Sequence, residues 1–337
     1  MSAAAAPIPG PATDRVLTVE QLTIDLPSKG EPLRIVDGVD VTVDRGQVLG
    51  IAGESGSGKT MTALALLGLL PTGARTGGRA DFLGKDLLRL TTRQWRATRG
   101  DEIGVVFQDP MTALHPMLTI ERQLTEHIRR HLDLSKHDAR DKAVELLRSV
   151  QLPDPVGSLR SYPHQFSGGM RQRIAIAVAL ACDPQLLIAD EPTTALDVTV
   201  QAGVLRLLKE LCESIGLAVI VVTHDLGVMS TVADELSVFY AGRIVESGPT
   251  RGLLQRPRHP YTRGLLDSLP HPDRPDQPLV PIDGAPATPA DRPAGCALHP
   301  RCAWAQDSCS EAIPPLVSIA PGRLSACPVD PLAGGDA

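Results

Sequence analysis

Two stretches of this chain put phosphate chemistry within reach. Residues 53–60 read Gly-Glu-Ser-Gly-Ser-Gly-Lys-Thr, the pattern G-x-x-x-x-G-K-T. Glycines at 53, 56 and 58 let the backbone turn so that successive N–H groups, and the positive end of a following helix, face phosphate oxygens. Lys59 is then placed to reach the β and γ phosphates of ATP and Thr60 to ligate Mg²⁺. Glu54, Ser55, Ser57 and Thr62 complete the candidate shell. The second stretch is Leu-Leu-Ile-Ala-Asp-Glu at 186–191. Its apolar run delivers Asp190, to hold Mg²⁺ directly or through water, and Glu191, to polarise an attacking water. The bland alternative, two adjacent acids capping the next turn, loses weight beside a glycine loop upstream.

These residues need a scaffold of strand ends and helix starts. Residues 47–52 form a short apolar strand running into the glycine loop, and 61–70 an apolar helix ended by Pro71 and Gly73. Strands are also expected at 103–107, Leu186–Asp190 and Ala218–Thr223, with helices at 169–181 and 200–214. Strands and helices in alternation imply an α/β fold, a mainly parallel sheet covered on both faces. Residues 16–26 and 35–43 alternate as strands and suggest an antiparallel opening. From 120 to 150, Ala143, Leu146, Leu147 and Val150 recur at helical spacing, and a helical insertion is placed at about 115–180. Beyond Gly248 the chain turns proline-rich and loses its periodicity. The expected organisation is an arm at 1–15, a catalytic core at 16–250, an extended appendage at 251–330 and a tail at 331–337.

Composition narrows the function classes. The chain has 337 residues, no long apolar run and no signal-type start, so no bilayer-spanning segment and no secretory leader are expected. A net charge of -6 gives no general reason to expect a nucleic-acid partner. Six cysteines without a leader argue for reduced thiols or metal ligands, not disulfides.

With Phe-Ser-Gly-Gly-Met-Arg-Gln-Arg at 166–173, between the two phosphate stretches, the chain resembles the ATP-binding cassette (ABC) family of P-loop ATPases. Ser167, Gly168, Gly169 and Met170 offer a hydroxyl and unhindered N–H groups at a helix start, a second anion site. In the family that segment caps ATP held by the opposite subunit, which implies a dimer closing on two nucleotides. The resemblance also assigns Gln108 as the loop glutamine sensing Mg²⁺ and the membrane partner, His224 as the switch histidine on the γ-phosphate, and Asp197 as the interface-loop aspartate. It implies an antiparallel β subdomain and a helical subdomain beside the P-loop core. The family usually stacks adenine on an aromatic residue of the first hairpin; here Ile24, Asp25 and Leu26 occupy that region, and Ile24 or Leu26 is the apolar substitute.

More narrowly, 109–116, 162–173, 190–201 and 259–266 resemble ATPase subunits of oligopeptide/dipeptide permeases. The resemblance implies an importer driven by MgATP on the cytoplasmic face of the membrane. Two transmembrane permease subunits and, indirectly, an extracytoplasmic solute-binding protein are its implied partners. Met170 favours pairing with a different ATPase subunit. Nickel or another small solute is the alternative cargo; a soluble non-transport cassette and a redox-sensing module are the readings of another class. Cys296, Cys302, Cys309 and Cys327 crowd into the appendage, and convergent thiolates suit zinc or an iron-sulfur cluster. Because the branch carries the same four cysteines and some members a 4Fe-4S cluster, the resemblance favours the cluster. Cys182 and Cys212 are expected in the core, and His299 to serve the fold.

Overall fold

The computed structural model describes residues 14–109, 113–193, 196–269 and 280–331. The expected arm and tail lie outside them, apart from residues 14, 15 and 331. The chain divides into two compact units, 14–42, 49–88 and 223–331 in the first, 43–48 and 89–222 in the second.

The first unit opens on the long strand Arg15–Leu26, whose apolar residues Val16, Leu17, Val19, Leu22 and Ile24 are buried. It runs antiparallel to Arg75–Phe82, from Leu17 opposite Phe82 to Asp25 opposite Arg75, with an irregularity between Glu20 and Thr23. Leu33–Asp44 and the short Lys85–Asp86 complete this four-stranded sheet. Each fully buried aliphatic or aromatic side chain here contributes about 1.5–3 kcal/mol. A second layer centres on Val48–Ala52, five buried residues paired in parallel with Glu235–Tyr240. Glu235–Tyr240 pairs antiparallel with Arg243–Pro249.

The sequence showed little periodicity beyond Gly248, but the structure gives that region ordered elements. Thr250–Gln255 and Pro260–Asp267 are helices, and Val317–Ala320 and Arg323–Ser325 form an antiparallel hairpin. Arg323–Ser325 adds to the edge of Arg243–Pro249, with Glu246 opposite Ser325. The appendage is therefore stitched onto the first unit through backbone pairing.

The second unit carries three parallel strands, Ile103–Val106 beside Leu186–Asp190 beside Ala218–Thr223. The last two are continuous apolar runs, as strands covered on both faces should be. Helices follow the expected pattern. Ile120–Leu132 is capped by Thr119 and buries Ile120, Leu124 and Ile128 one turn apart. Lys136–Ser149 is capped by Ser135 and buries Ala143, Leu146 and Leu147, and the fourth position picked out by spacing, Val150, is buried at its C-cap. Gly168–Ala179 and Val198–Ile215 start at Ser167 and Asp197, which act as N-caps. Among the described residues no helix is long and apolar enough to cross a membrane.

Candidate nucleotide-binding site

In the first unit, the strand Val48–Ala52 leads into the glycine loop and the helix Lys59–Leu66 follows it, starting earlier and ending earlier than the expected 61–70. Gly53 has φ +148 and an added Cβ would lie 2.2 Å from the carbonyl oxygen of Phe239, so no side chain fits there. Gly58, the helix N-cap, has φ +104. Lys59 is 5% exposed, and its Nζ donates to the carbonyls of Gly53 at 2.7 Å and Glu54 at 2.9 Å. The ammonium thus lies across the mouth of its own loop, where an incoming phosphate would take over as counter-charge. Ser57 Oγ is buried without a hydrogen-bond partner, an unspent hydroxyl inside the loop. Ser55, Gly56 and Thr60 face solvent, whereas the Thr62 hydroxyl is buried and donates to Gly58 O at 3.0 Å, bracing the helix start. The turns, the buried cation and the orphan hydroxyl fit a triphosphate.

Also in the first unit, His224 is exposed and follows the strand Ala218–Thr223. Its neighbour Asp225 caps Leu226–Val232 by accepting from Gly227 N and Val228 N at 2.8 and 3.2 Å. Of the two residues expected to touch adenine, Ile24 is fully buried in the core, and only Leu26 reaches the surface.

In the second unit the structure joins two site residues 83 positions apart. Gln108 Nε2 donates to Glu191 Oε2 at 3.2 Å. Glu191 stands one residue past the strand carrying Asp190, its N–H bonded to Val222 O at 2.8 Å, and has φ +47. A non-glycine residue held there stores on the order of 1–3 kcal/mol of strain, a cost commonly found where a side chain must be aimed. Ser167 Oγ accepts from Met170 N at 3.4 Å, closing the first turn of its helix. Gly169 approaches the next helix so closely that a Cβ would meet Val200 Cγ1 at 2.3 Å. Asp197 Oδ1 accepts from Val200 N at 3.0 Å. Ser167 and Asp197 are thereby both N-caps, held in place by local hydrogen bonds.

The four-cysteine metal centre is corrected by the structure. Among the described residues no group of three or more His, Cys, Asp or Glu side chains is arranged to hold a metal ion. Cys296, Cys302, Cys309 and Cys327 are free, half-buried thiols. Burial raises Cys296 and Cys302, and pushes Cys327 up to about 11 with the neighbouring cysteines adding to it. The 4Fe-4S centre and the metal-binding role expected of them therefore find no support in this arrangement. Cys182 and Cys212 are buried, as expected.

Sequence reasoning missed the residues that grip the loop from the appendage. Glu54 N–H donates to the Tyr261 hydroxyl at 2.8 Å, and its carboxylate takes a two-pronged ion pair from Arg301 at 2.9 and 3.2 Å. Both partners lie more than 200 positions downstream, beyond any periodicity or spacing signal.

Comparison with known proteins agrees with this geometry. Residues 36–194 match the family "ABC transporter", and residues 245–309 match "Oligopeptide/dipeptide transporter, C-terminal region". The chain is 44% identical over 334 residues to the oligopeptide transport ATP-binding protein OppD of Salmonella typhimurium, covering 98% of this chain and 99% of that one. It is 47% identical over 291 residues to the dipeptide transport ATP-binding protein DppD of Bacillus subtilis, covering 86% and 87%. Among solved structures, the ATP-binding cassette MJ0796, a dimer in a post-hydrolysis state bound to ADP and phosphate, aligns with a TM-score of 0.61. It is 30% identical, with 70% of this chain and 99% of that one covered. A glycine loop with a buried lysine, a strand-end acid pair, a signature helix capped by serine and near-complete coverage of the OppD protein make this chain a member of the ABC transporter ATPase family, in its oligopeptide/dipeptide branch.

Proposed function

We propose that this chain binds and hydrolyses MgATP to energise peptide import, with Lys59, Glu191 and His224 carrying the chemistry. The observation that carries this reading is the glycine loop itself, with its positive-φ turns, the buried Lys59 and the unpartnered Ser57 hydroxyl. Lys59 moves from the loop carbonyls to the β and γ phosphates and neutralises charge building on the transferred phosphoryl group. Glu191, steadied by Gln108, orients a water in line with the γ-phosphorus. The water oxygen bonds to phosphorus, the bond to the bridging oxygen breaks, and ADP and phosphate leave. His224 contacts the γ-phosphate. Mg²⁺, when bound, would neutralise phosphate charge, and Thr60 and Asp190 are the residues that would hold it.

The cargo follows from the branch. Both named relatives are ATP-binding proteins of oligopeptide or dipeptide transport, and the match at 245–309 points the same way. The chain is an ABC ATPase subunit working with transmembrane permease subunits. Ser167, Gly168, Gly169 and Met170 serve the nucleotide of a second ATPase subunit, and Met170 supports pairing with a different one. A solute-binding protein delivers cargo on the far side, and this subunit sits peripherally on the cytoplasmic face. The cassette proper comprises 16–250 and the extension 251–330. ATP favours the closed pair, and its hydrolysis removes that preference.

The test compares Lys59→Ala and Glu191→Gln in the complex co-expressed with its permease partners. Lys59→Ala is expected to abolish MgATP binding. Glu191→Gln should keep binding, lose roughly 10²–10⁴-fold in turnover, the range of general-base catalysis, and accumulate an ATP-loaded dimer. Normal turnover in Glu191→Gln refutes its assignment.

A further inference from the structure

The residue that follows the first glycine of the loop is held by three separate handles. Glu54 offers its carbonyl to Lys59 Nζ, its N–H to the Tyr261 hydroxyl and its carboxylate to Arg301. Only the first of these lies within the loop and its helix; the others come from the C-terminal extension.

Each handle is itself built to be rigid. Tyr261 is fully buried at the start of the helix Pro260–Asp267, its ring 4.6 Å from that of Tyr240. Pro260 begins that helix, and His259 caps it by accepting from Tyr261 N at 3.1 Å. Burial lowers His259 to about 3, so it is neutral and its Nδ1 is free to accept. The His259 N–H donates to Glu246, a fully buried carboxylate that also accepts from Arg258 N and from Arg323. Arg301 is just as constrained. Its side chain is 6% exposed and donates to Asp283 O at 2.8 Å, Ile282 O at 3.3 Å and the Tyr240 hydroxyl at 3.3 Å besides Glu54. A guanidinium whose fork is fixed on both sides gives direction as well as charge. A buried tyrosine hydroxyl needs a partner, and here that partner is a backbone N–H of the phosphate loop.

A loop with three glycines in the six consecutive positions 53–58 has high conformational entropy when left to itself. Ordering it at the moment of binding would weaken affinity, and pre-ordering it removes that cost. We propose that Tyr261 and Arg301 of the C-terminal extension are positioning residues that hold Glu54, and through it the glycine loop, in the conformation that receives the ATP phosphates. The extension thereby acts on nucleotide affinity, beyond its match to a transporter C-terminal region. The inference rests on the reading of residues 53–60 as the phosphate site.

The test uses the full chain and equilibrium titration with a fluorescent ATP analogue in Mg²⁺, alongside thermal melting without nucleotide. Arg301→Ala and Tyr261→Phe are each expected to weaken binding roughly tenfold, the factor that corresponds to about 1.4 kcal/mol. Arg301→Lys, which cannot form the fork, should fall between wild type and Arg301→Ala. Because Arg301 and Glu54 act as one unit, Glu54→Ala with Arg301→Ala should be no weaker than Arg301→Ala alone. Should Arg301→Ala melt too low to titrate, Glu54→Gln, which keeps side-chain shape but drops the charge, takes its place with the same expected weakening. Binding within twofold of wild type in a folded Arg301→Ala or Glu54→Gln protein overturns the proposal, as does a double variant whose losses multiply. Lys59→Ala separates the two layers. If it binds like wild type, the phosphate-site reading beneath has failed; if it loses binding while Arg301→Ala keeps it, only the positioning role has failed.

Discussion

Replacing Gly53 by alanine should damage the loop far more than the same change at Gly56, and the structure says by how much. Both glycines have positive φ, +148 and +77, so either alanine meets a torsional penalty on the order of 1–3 kcal/mol. The difference lies in the surroundings. A Cβ on Gly56 meets no heavy atom within 4 Å, whereas one on Gly53 lies 2.2 Å from Phe239 O and 3.1 Å from both Phe239 C and Ser57 Oγ. Relieving the carbonyl contact requires the loop or the strand Glu235–Tyr240 to shift by about an ångström, and forced repacking of that kind costs about 1–3 kcal/mol more. For a unit of 150–250 residues each kcal/mol moves the melting midpoint by about 2–4 °C. Calorimetry should therefore place Gly53→Ala several degrees below Gly56→Ala without nucleotide. Adding MgATP at about 100 times its dissociation constant stabilises a protein by about 2.7 kcal/mol. That gain should vanish in Gly53→Ala, because the N–H groups displaced with the backbone no longer converge. Equal melting of the two variants, or an undiminished MgATP shift in Gly53→Ala, would refute the steric reasoning and with it the view that close backbone packing sets the loop.

Two further outcomes follow from buried charge in the first unit. Burial first, and the Asp234 carboxylate next, push Glu235 from 4.5 up to about 7, so the folded chain keeps a proton that the unfolded chain releases. The stability this group lends is present below about pH 4.5 and is lost as pH rises through 7. Glu235→Gln should therefore melt higher than wild type at pH 8, by a margin of about 1 kcal/mol once solvent screening of a half-buried group is allowed for, and level with it at pH 4; a gain confined to acid pH would reverse the sign of this account. Glu246 is fully buried and pairs with Arg323 at 2.9 Å, so Arg323→Met should destabilise by about 3–5 kcal/mol in denaturant titration by stranding the charge. Adding Glu246→Gln to Arg323→Met should recover part of that loss, and no recovery would mean that Arg323 acts through packing alone.

What the sequence could disclose was chemistry confined to consecutive residues. A triphosphate loop must have glycines where the backbone turns and a lysine at the helix start, so residues 53–60 announce themselves wherever they sit. The strands Leu186–Asp190 and Ala218–Thr223 were readable to the residue because double-sided burial leaves only apolar side chains along them. Pairing at a distance was not readable. Arg323–Ser325 is three residues long, too short for any period, and is a strand only because Arg243–Pro249 supplies its partner. The positive φ of Glu191 is equally silent in the sequence, since nothing in Asp-Glu-Pro marks a backbone that must bend back to meet Gln108.

The cysteines show the opposite failure, a pattern that promises more than its surroundings deliver. Four thiols in one short region look like a ligand set, yet ligation depends on deprotonation and convergence, which spacing does not encode. Burial keeps Cys296, Cys302 and Cys327 as thiols, and among the described residues no group of three or more such side chains is arranged to hold a metal ion. Arg301, which the pattern of cysteines around it obscured, reaches furthest toward the glycine loop, a fork closed on Glu54 from 247 positions away. The extension's chemistry is then charge and hydrogen bonding directed at the phosphate loop. That is the kind of role a sequence can hide, because an arginine is common everywhere and only its partner makes it specific.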